Sequence, residues 1–237
     1  MQAPTLSFLH SVRALRLAII CVVTVLTLAC GGGRLAVIGP VTDASGAASE
    51  LEQDTRLQEP LQIVFTWRLN EARQRHRGRG VARIEPPYRA RLDLFTDDGE
   101  TVMSAALVDG DLRMPPGSRD DILPPTDLMW GTFGIFRPHD VRLLGGDVLE
   151  GNAMRLRYAY ADGTELHYEV MSGLLRSLEL REGGRVVQRV EVDMGSDSRY
   201  PVESTYRNLS AFRELVIVRE SLESHEPFDP DVWDPAG

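Results

Sequence analysis

The sequence contains no lysine, and all 26 of its positively charged residues are arginine. The absence of lysine excludes Schiff-base chemistry and lysine nucleophiles. Acidic residues number 35, which gives a net charge of -9. Because nucleic-acid binding requires a basic face, this balance argues against a nucleic-acid partner. It also provides no general attraction to anionic lipids, so any membrane attachment must be apolar or covalent.

Residues suited to catalysis or metal binding are also scarce. The two cysteines, Cys21 and Cys30, both lie near the N-terminus, so we expect no intramolecular disulfide and no cysteine metal site in the rest of the chain. The histidines after residue 30 show no zinc-hydrolase spacing; they are His76, His139, His167 and His225. Nucleophile elbows, phosphate loops and dinucleotide fingerprints are absent from the sequence. It therefore predicts a protein that is not an enzyme and that uses no metal or cofactor.

The N-terminal segment has the pattern of a secretion signal. Residues 1–16 are polar and basic, and residues 17–29 are thirteen uncharged, mostly apolar positions. A membrane-spanning helix needs about 20 such residues. This run therefore favours a signal peptide over residues 1–29, with an uncleaved signal anchor as the alternative. The small residue Ala29, then Cys30, then a glycine triplet resemble a bacterial lipobox, which implies acylation of Cys30.

The residue after the cysteine bears on localisation. Position 31 is Gly and not Asp. By resemblance to proteobacterial sorting, where Asp at this position favours retention in the inner membrane, the protein would be anchored in the outer membrane and face the periplasm. Residues 30–48 would then form the lipidated cysteine and a flexible tether rich in Gly and Ala.

The body is predicted to begin with a helix. Ser49 and Glu52 have capping-box spacing, and Pro60 ends the segment, which indicates one short helix. Residues 226–237 form an acidic, proline-rich tail. The sequence is compatible with either a strap over a sheet edge or a disordered docking peptide there.

Between these ends the hydrophobic pattern has a period of two. It is clear in YRARLDLF, MRLRYAY and ELHYEV, and Asp-Gly or Gly-Gly turns separate such runs. This predicts a mainly β fold: a single antiparallel, incompletely closed β-barrel over residues 49–225. Ten or eleven strands are expected, at 61–72, 77–85, 88–96, 101–108, 111–114 (the least clear), 153–160, 164–171, 174–181, 185–193, 200–208 and 212–222.

One segment interrupts the strands. Residues 123–138, LPPTDLMWGTFGIFRP, are too rich in Gly and Pro for a good strand. Thr126 or Asp127 could cap a short helix here that carries large apolar side chains. Such helices would cover the concave apolar face of the sheet.

This organisation resembles the LolA/LolB-type lipoprotein carriers. The resemblance covers roughly residues 49–225. It rests on RGRGVARIEPPYRARLDLFTDDGETVMSAALVDGDLRMPPG, which is similar to the first half of that superfamily, and on TDLMWGTFGIF, which matches the helix that closes the half-barrel's mouth. The resemblance implies an unclosed barrel around an apolar cavity that accommodates acyl chains. A lipid-anchored member would resemble LolB, which receives lipoproteins at the outer membrane.

We therefore expect a membrane-anchored periplasmic lipoprotein that binds or transfers a lipid or acyl chain. The alternative is a structural or interaction lipoprotein of the envelope, with a filled core and a protein partner. Large apolar residues of the predicted strands and helix are the candidates to line a cavity: Phe65, Trp67, Leu92, Leu94, Leu128, Trp130, Phe133, Phe136, Leu156 and Tyr158. Trp130 and Phe133 are the better candidates, because glycines interrupt their segment.

The sequence also contains two notable polar features. His167 lies between Glu165 and Glu169 on the polar face of a predicted strand, where we expect ion pairs with arginines of the neighbouring strand. Residues 72–83, ARQRHRGRGVAR, form the one strongly basic segment. It is either a solvated hairpin or a contact for phosphate headgroups or an acidic partner.

Overall fold

The computed structural model describes residues 35–119, 121–196 and 198–235. The predicted signal peptide and the acylation of Cys30 lie outside the described residues. The chain divides into two units, Met1–Ala36 and Val37–Gly237, and all the described strands and helices belong to the second.

Thirteen strands and two α-helices occur in the described part of this unit. The strands are β1 Val37–Pro40, β2 Leu61–Glu71, β3 Gln74–Glu85, β4 Arg89–Thr96, β5 Thr101–Val108, β6 Asp111–Arg113, β7 Arg142–Leu149, β8 Ala153–Ala159, β9 Glu165–Met171, β10 Leu174–Glu182, β11 Arg185–Asp193, β12 Glu203–Asn208 and β13 Arg213–Ser224. The helices are α1 Ala44–Thr55 and α2 Thr126–Thr132, and a 3₁₀ helix spans Pro230–Trp233.

All thirteen strands form one antiparallel sheet. Their order is β1-β7-β8-β9-β10-β11-β12-β13-β2-β3-β4-β5-β6. No ladder joins β1 to β6 among the described residues, so these strands are the two edges and the barrel is incompletely closed. The predicted fold class is confirmed, with thirteen strands in the described residues instead of the ten or eleven expected.

Side-chain alternation divides the sheet into an apolar and a polar face. On β2, for example, alternate residues from Leu61 to Leu69 are buried and belong to one hydrophobic core. The period-two pattern therefore has the predicted physical cause: one face of each strand is removed from water and the other stays wet.

The two helices add to the core on the same face. Leu51 of α1 is buried in the core, and the Thr55 hydroxyl at the end of α1 accepts a hydrogen bond from the Phe136 N–H at 3.0 Å. Helix α2 packs across β10, β11 and β12. A Cβ at Gly131 would lie 2.6 Å from the Leu178 side chain, so glycine is needed for this close approach.

The predicted tether over residues 30–48 is wrong from Val37 onward. Val37–Pro40 pairs with β7, and α1 begins at Ala44 instead of Ser49 because the Asp43 carboxylate caps it by accepting from the Gly46 N–H at 2.8 Å. An N-terminal cap of this kind satisfies a backbone donor that the helix itself leaves free.

The tail packs on the sheet over β4 and β5, whereas the strap expected from sequence covers a sheet edge. The Arg91 guanidinium donates to the Val232 carbonyl oxygen at 2.8 Å, and Trp233 is buried against β4 and β5. Arg91 alternates with the core residues Ala90 and Leu92, so the tail covers the outer, polar face.

Candidate functional site

The interior of the half-barrel beneath α2 is filled by aromatic side chains. The Tyr168 ring lies 4.6 Å from Phe136 and 5.8 Å from Tyr158, measured between ring centroids. Trp130 packs edge-on against Tyr88 at 5.8 Å. Complete burial raises the pKa of Tyr168 well above its ordinary value, and its hydroxyl has no hydrogen-bond partner among the described residues. This region is a packed core.

The ten predicted lining residues are all buried. Trp67 and Leu94 line a cleft at one end of the sheet, and Phe65 and Phe133 line a void of about 20 Å³. The other six line neither space and belong to the core: Leu92, Leu128, Trp130, Phe136, Leu156 and Tyr158. Of the two favoured candidates from sequence, Trp130 is therefore a packing residue of the α2 region, and Phe133 borders only the small void.

The cleft has a volume of about 530 Å³ and lies near the end of β2 and β3. This volume is within the range of small-molecule sites, ~300–1,000 Å³. Its apolar lining is formed by Trp67, Leu69, Leu94, Val102 and Ile122. The cleft can hold an apolar chain, which would be stabilised by about 0.8 kcal/mol for each methylene removed from water.

The cleft floor depends on a close fit between β2 and the glycines of the RGRG segment. Trp67 pairs with Gly78 in the ladder, and the Trp67 indole N–H donates to the carbonyl oxygens of Arg79 and Phe95, both at 3.0 Å. A Cβ at Gly78 would lie 1.8 Å from the Phe95 oxygen. Gly78 therefore leaves room for the indole to reach both oxygens, and the segment is a strand and not a phosphate-binding loop before a helix.

One wall of the cleft is the segment after β6, which ion pairs fix to the strands. Arg119 contacts Glu71 with two hydrogen bonds, at 2.8 and 3.1 Å. Arg213 contacts Glu71 at 2.9 Å and Asp121 at 2.8 Å. Hydrogen bonds from Arg119 are the main reason that the pKa of Glu71 is lowered. They are also the main reason that the pKa of Asp121 is about 2. Both carboxylates are therefore ionised and paired near neutral pH.

The rim of the cleft is basic. Arg75, His76 and Arg77 of β3 line it, and all three side chains are exposed. Arg77 is paired with Asp97 at 2.9 Å, whereas Arg75 forms no ion pair among the described residues. Arg75 also lines a neighbouring groove of about 460 Å³ beside Phe212, which is 87% exposed. Residues 72–83 thus form a hairpin with an unpaired charge at the mouth of an apolar cleft.

The polar face carries the predicted row of ion pairs. Arg155 contacts Glu169 at 3.4 Å, and His167 contacts Glu165 at 2.7 Å. Burial lowers the pKa of His167, against the opposing effect of Glu165. The row continues across β10 and β11, where Glu179 contacts Arg181 and Arg189 at 2.6 and 2.5 Å. These residues are matched to one another and have a structural role.

A buried acid in the first turn of α2 has a raised pKa, which is a common feature of catalytic groups. Burial raises the pKa of Asp127, which accepts hydrogen bonds from the Tyr160 hydroxyl and the His139 N–H. No group of three or more metal-binding side chains occurs among the described residues. Asp127 thus ties α2 to the residue after β8 and to the segment that follows α2, and it lies outside the cleft.

None of the helices in the described part of the chain is sufficiently long and apolar to span a bilayer.

The comparisons with known proteins concern the fold. No protein-family model matches the sequence, and no curated protein matches it. Among solved structures, a LolA superfamily protein from Nitrosomonas europaea matches with a TM-score of 0.55 at 11% identity, over 80% of this chain and 96% of its own. A DUF1329 family protein from Desulfovibrio piger matches with a TM-score of 0.54 at 12% identity, over 83% of this chain and 98% of its own.

The open thirteen-stranded sheet with two helices on its apolar face defines an incompletely closed β-barrel. More specifically, it is similar in fold to the LolA superfamily, as the sequence resemblance predicted.

Proposed function

We propose that this protein is a lipid-anchored protein of the bacterial envelope that binds an acyl chain in the cleft beside Trp67 and Leu94. The apolar lining of the cleft, open at the end of the half-barrel, is the observation that carries the proposal. The fold shared with a LolA superfamily protein supports it. Binding rests on burial of apolar surface, with no catalysis.

The site differs from the cavity expected from sequence. Aromatic side chains fill the space beneath α2, so the ligand occupies only the end of the sheet near the β2–β3 hairpin. A cleft of about 530 Å³ suits one slender chain better than a bulky group of several acyl chains.

A photoactivatable fatty acid tests this site. The full chain in phospholipid vesicles is irradiated with the probe, and the labelled peptides are identified by mass spectrometry. We expect labels in the peptides that carry Val102 and Ile122. Labelling elsewhere alone, or none, contradicts the proposal.

Two valines provide a matched pair of variants. Val102 lines the cleft and is 40% exposed, whereas Val218 lies on the polar face and is 39% exposed. Val102→Trp should fill the cleft and reduce labelling of its lining, and Val218→Trp should leave it unchanged. Near-ultraviolet circular dichroism checks that both variants are folded.

The anchor requires a separate test. The lipobox-like sequence at Cys30 supports acylation, and Gly31 supports outer-membrane localisation. Metabolic labelling with radioactive palmitate should disappear in Cys30→Ser. Label that persists in this variant would refute acylation at Cys30, whatever the outcome for the cleft.

The filled core beneath α2 favours a second candidate function. A lipoprotein with this interior could act by docking an envelope protein on its outer surface. In that case Val102→Trp and the original chain would show the same weak labelling, and an in-cell crosslinker would join both to the same protein.

A further inference from the structure

We infer that the cleft selects single-chain amphiphiles with an anionic headgroup, such as a carboxylate or phosphate. This inference rests on the proposed function and names the class of ligand. Its basis is the position of Arg75 and His76 on the rim of the apolar cleft.

The register of the hairpin places these residues relative to the floor. His76 pairs with Leu69 and Arg75 pairs with Asn70 in the β2–β3 ladder. Cross-strand partners project to the same face, so His76 is on the face that carries Leu69 and Trp67. Arg75 and Asn70 project to the opposite face, so Arg75 borders the cleft at its rim beside the hairpin turn, where a chain on this floor would bring its head.

The local charge is positive once the ion pairs are taken into account. Glu71 also lines the cleft, but Arg119 and Arg213 both contact it. Arg77 is paired with Asp97. Arg75 has no ion-pair partner in the part of the chain that the structure describes, so its guanidinium can form charge-assisted hydrogen bonds with an anion.

This charge stands out because the chain as a whole is acidic, with a net charge of -9. An acidic surface repels anionic amphiphiles in general, which restricts their favourable approach to the basic hairpin. Polar groups on an apolar site act mainly on orientation and selectivity. Arg75 would therefore set the direction of the ligand, with its head at the rim and its chain toward Leu94.

The test compares a photoactivatable fatty acid with the fatty alcohol of the same length, using the full chain in phosphatidylcholine vesicles. Labelling of the cleft peptides should favour the acid by up to about fivefold, the range for an exposed ion pair. Arg75→Gln should abolish this preference, and Arg75→Lys should retain most of it. Raised salt should weaken the preference, since the rim is exposed.

Arg68→Gln is the control with the same change of charge. Arg68 is exposed on β2 and lines the groove of the polar face, but it does not line the cleft. It should leave the preference for the acid unchanged. A preference that survives Arg75→Gln, or that Arg68→Gln reduces equally, overturns the role of Arg75.

The outcomes separate the two proposals. Equal labelling of the cleft by acid and alcohol would refute selection of the headgroup but support acyl binding. No labelling by either probe would refute both the headgroup selection and the acyl binding. Excess inorganic phosphate should not compete with the fatty acid. If phosphate alone abolishes labelling, the rim binds a free anion and the amphiphile is the wrong class.

Discussion

Trp67 lies directly across the sheet from Gly78, and its indole N–H reaches past the glycine to the carbonyl oxygens of Arg79 and Phe95. Three strands are thereby tied together under the cleft by one side chain. The geometry exists because residue 78 has no side chain, which makes the glycine testable.

Gly78→Ala should lower the free energy of unfolding by at least about 1–3 kcal/mol, the typical cost of overpacking. The added Cβ would lie 1.8 Å from the backbone oxygen of Phe95, which cannot move without displacing β4. Urea denaturation measures the change. Gly39→Ala is the control, because a Cβ there would have no neighbour within 4 Å; equal effects would contradict the account of the floor.

Glu71→Gln should destabilise the protein by about 1–3 kcal/mol, because it leaves the Arg213 guanidinium, whose side chain is only 9% exposed, with one carboxylate instead of two. Asp97→Asn removes the partner of Arg77 in a pair that is 80% and 60% exposed, and it should cost no more than about 0.5 kcal/mol. Both are measured by urea denaturation at neutral pH. If the two losses are equal, the Glu71 pairs do not fix the cleft wall.

The ion-pair cluster around Asp121 predicts that the stability of the fold depends on pH in the acid range. The pKa of Asp121 is about 2 in the fold, below its ordinary value of 3.8, chiefly because of hydrogen bonds from Arg119. A lowered pKa stabilises the fold above the unfolded value, and this contribution is lost as the pH falls from about 3.8 toward 2. The stability difference between the original chain and Asp121→Asn should therefore shrink across this window in urea titrations. A constant difference would refute the coupling.

Trp130 should behave as a core residue and not as a ligand contact. Trp130→Ala should cost about 3–5 kcal/mol, as expected for a buried large aromatic side chain. Trp130→Phe should cost much less, because the indole N–H is buried without a hydrogen-bond partner among the described residues. Equilibrium unfolding checks the stabilities. If Trp130→Phe abolishes fatty-acid labelling of the cleft without loss of stability, Trp130 contacts the ligand after all.

Alternation of side chains predicted ten of the strands, β2 to β5 and β8 to β13, since each buries one face, whereas the three residues of β6 are all exposed and this strand was the least clear. Strand β7 escaped notice because Gly145 and Gly146 break the pattern, and a register shift between Leu143 and Gly145 disturbs its ladder. Strand β1 has four residues and ends in Pro40, so it shows too little of any period. Asp43 is a residue type that commonly caps helices, but the Gly- and Ala-rich sequence around it favoured a tether over a helix.

The candidate site was less accessible from sequence. Hydrophobicity identified Trp67 and Leu94 but could not separate them from the packed residues Trp130 and Phe136, because both kinds are large and apolar. What distinguishes them is tertiary: the cleft forms where the β2–β3 hairpin meets the segment after β6. The basic hairpin was visible as a pattern, but its position at an apolar opening depends on the strand register.

The early start of the sheet limits how far the protein could move under the proposed anchor. β1 begins at Val37, so the link from Cys30 spans only about 25 Å even when fully extended, against about 60 Å for the link expected from sequence. With Cys30 acylated, the start of the sheet would stay within about 25 Å of the leaflet that holds the anchor. The ligand of the protein would then have to arrive near that leaflet.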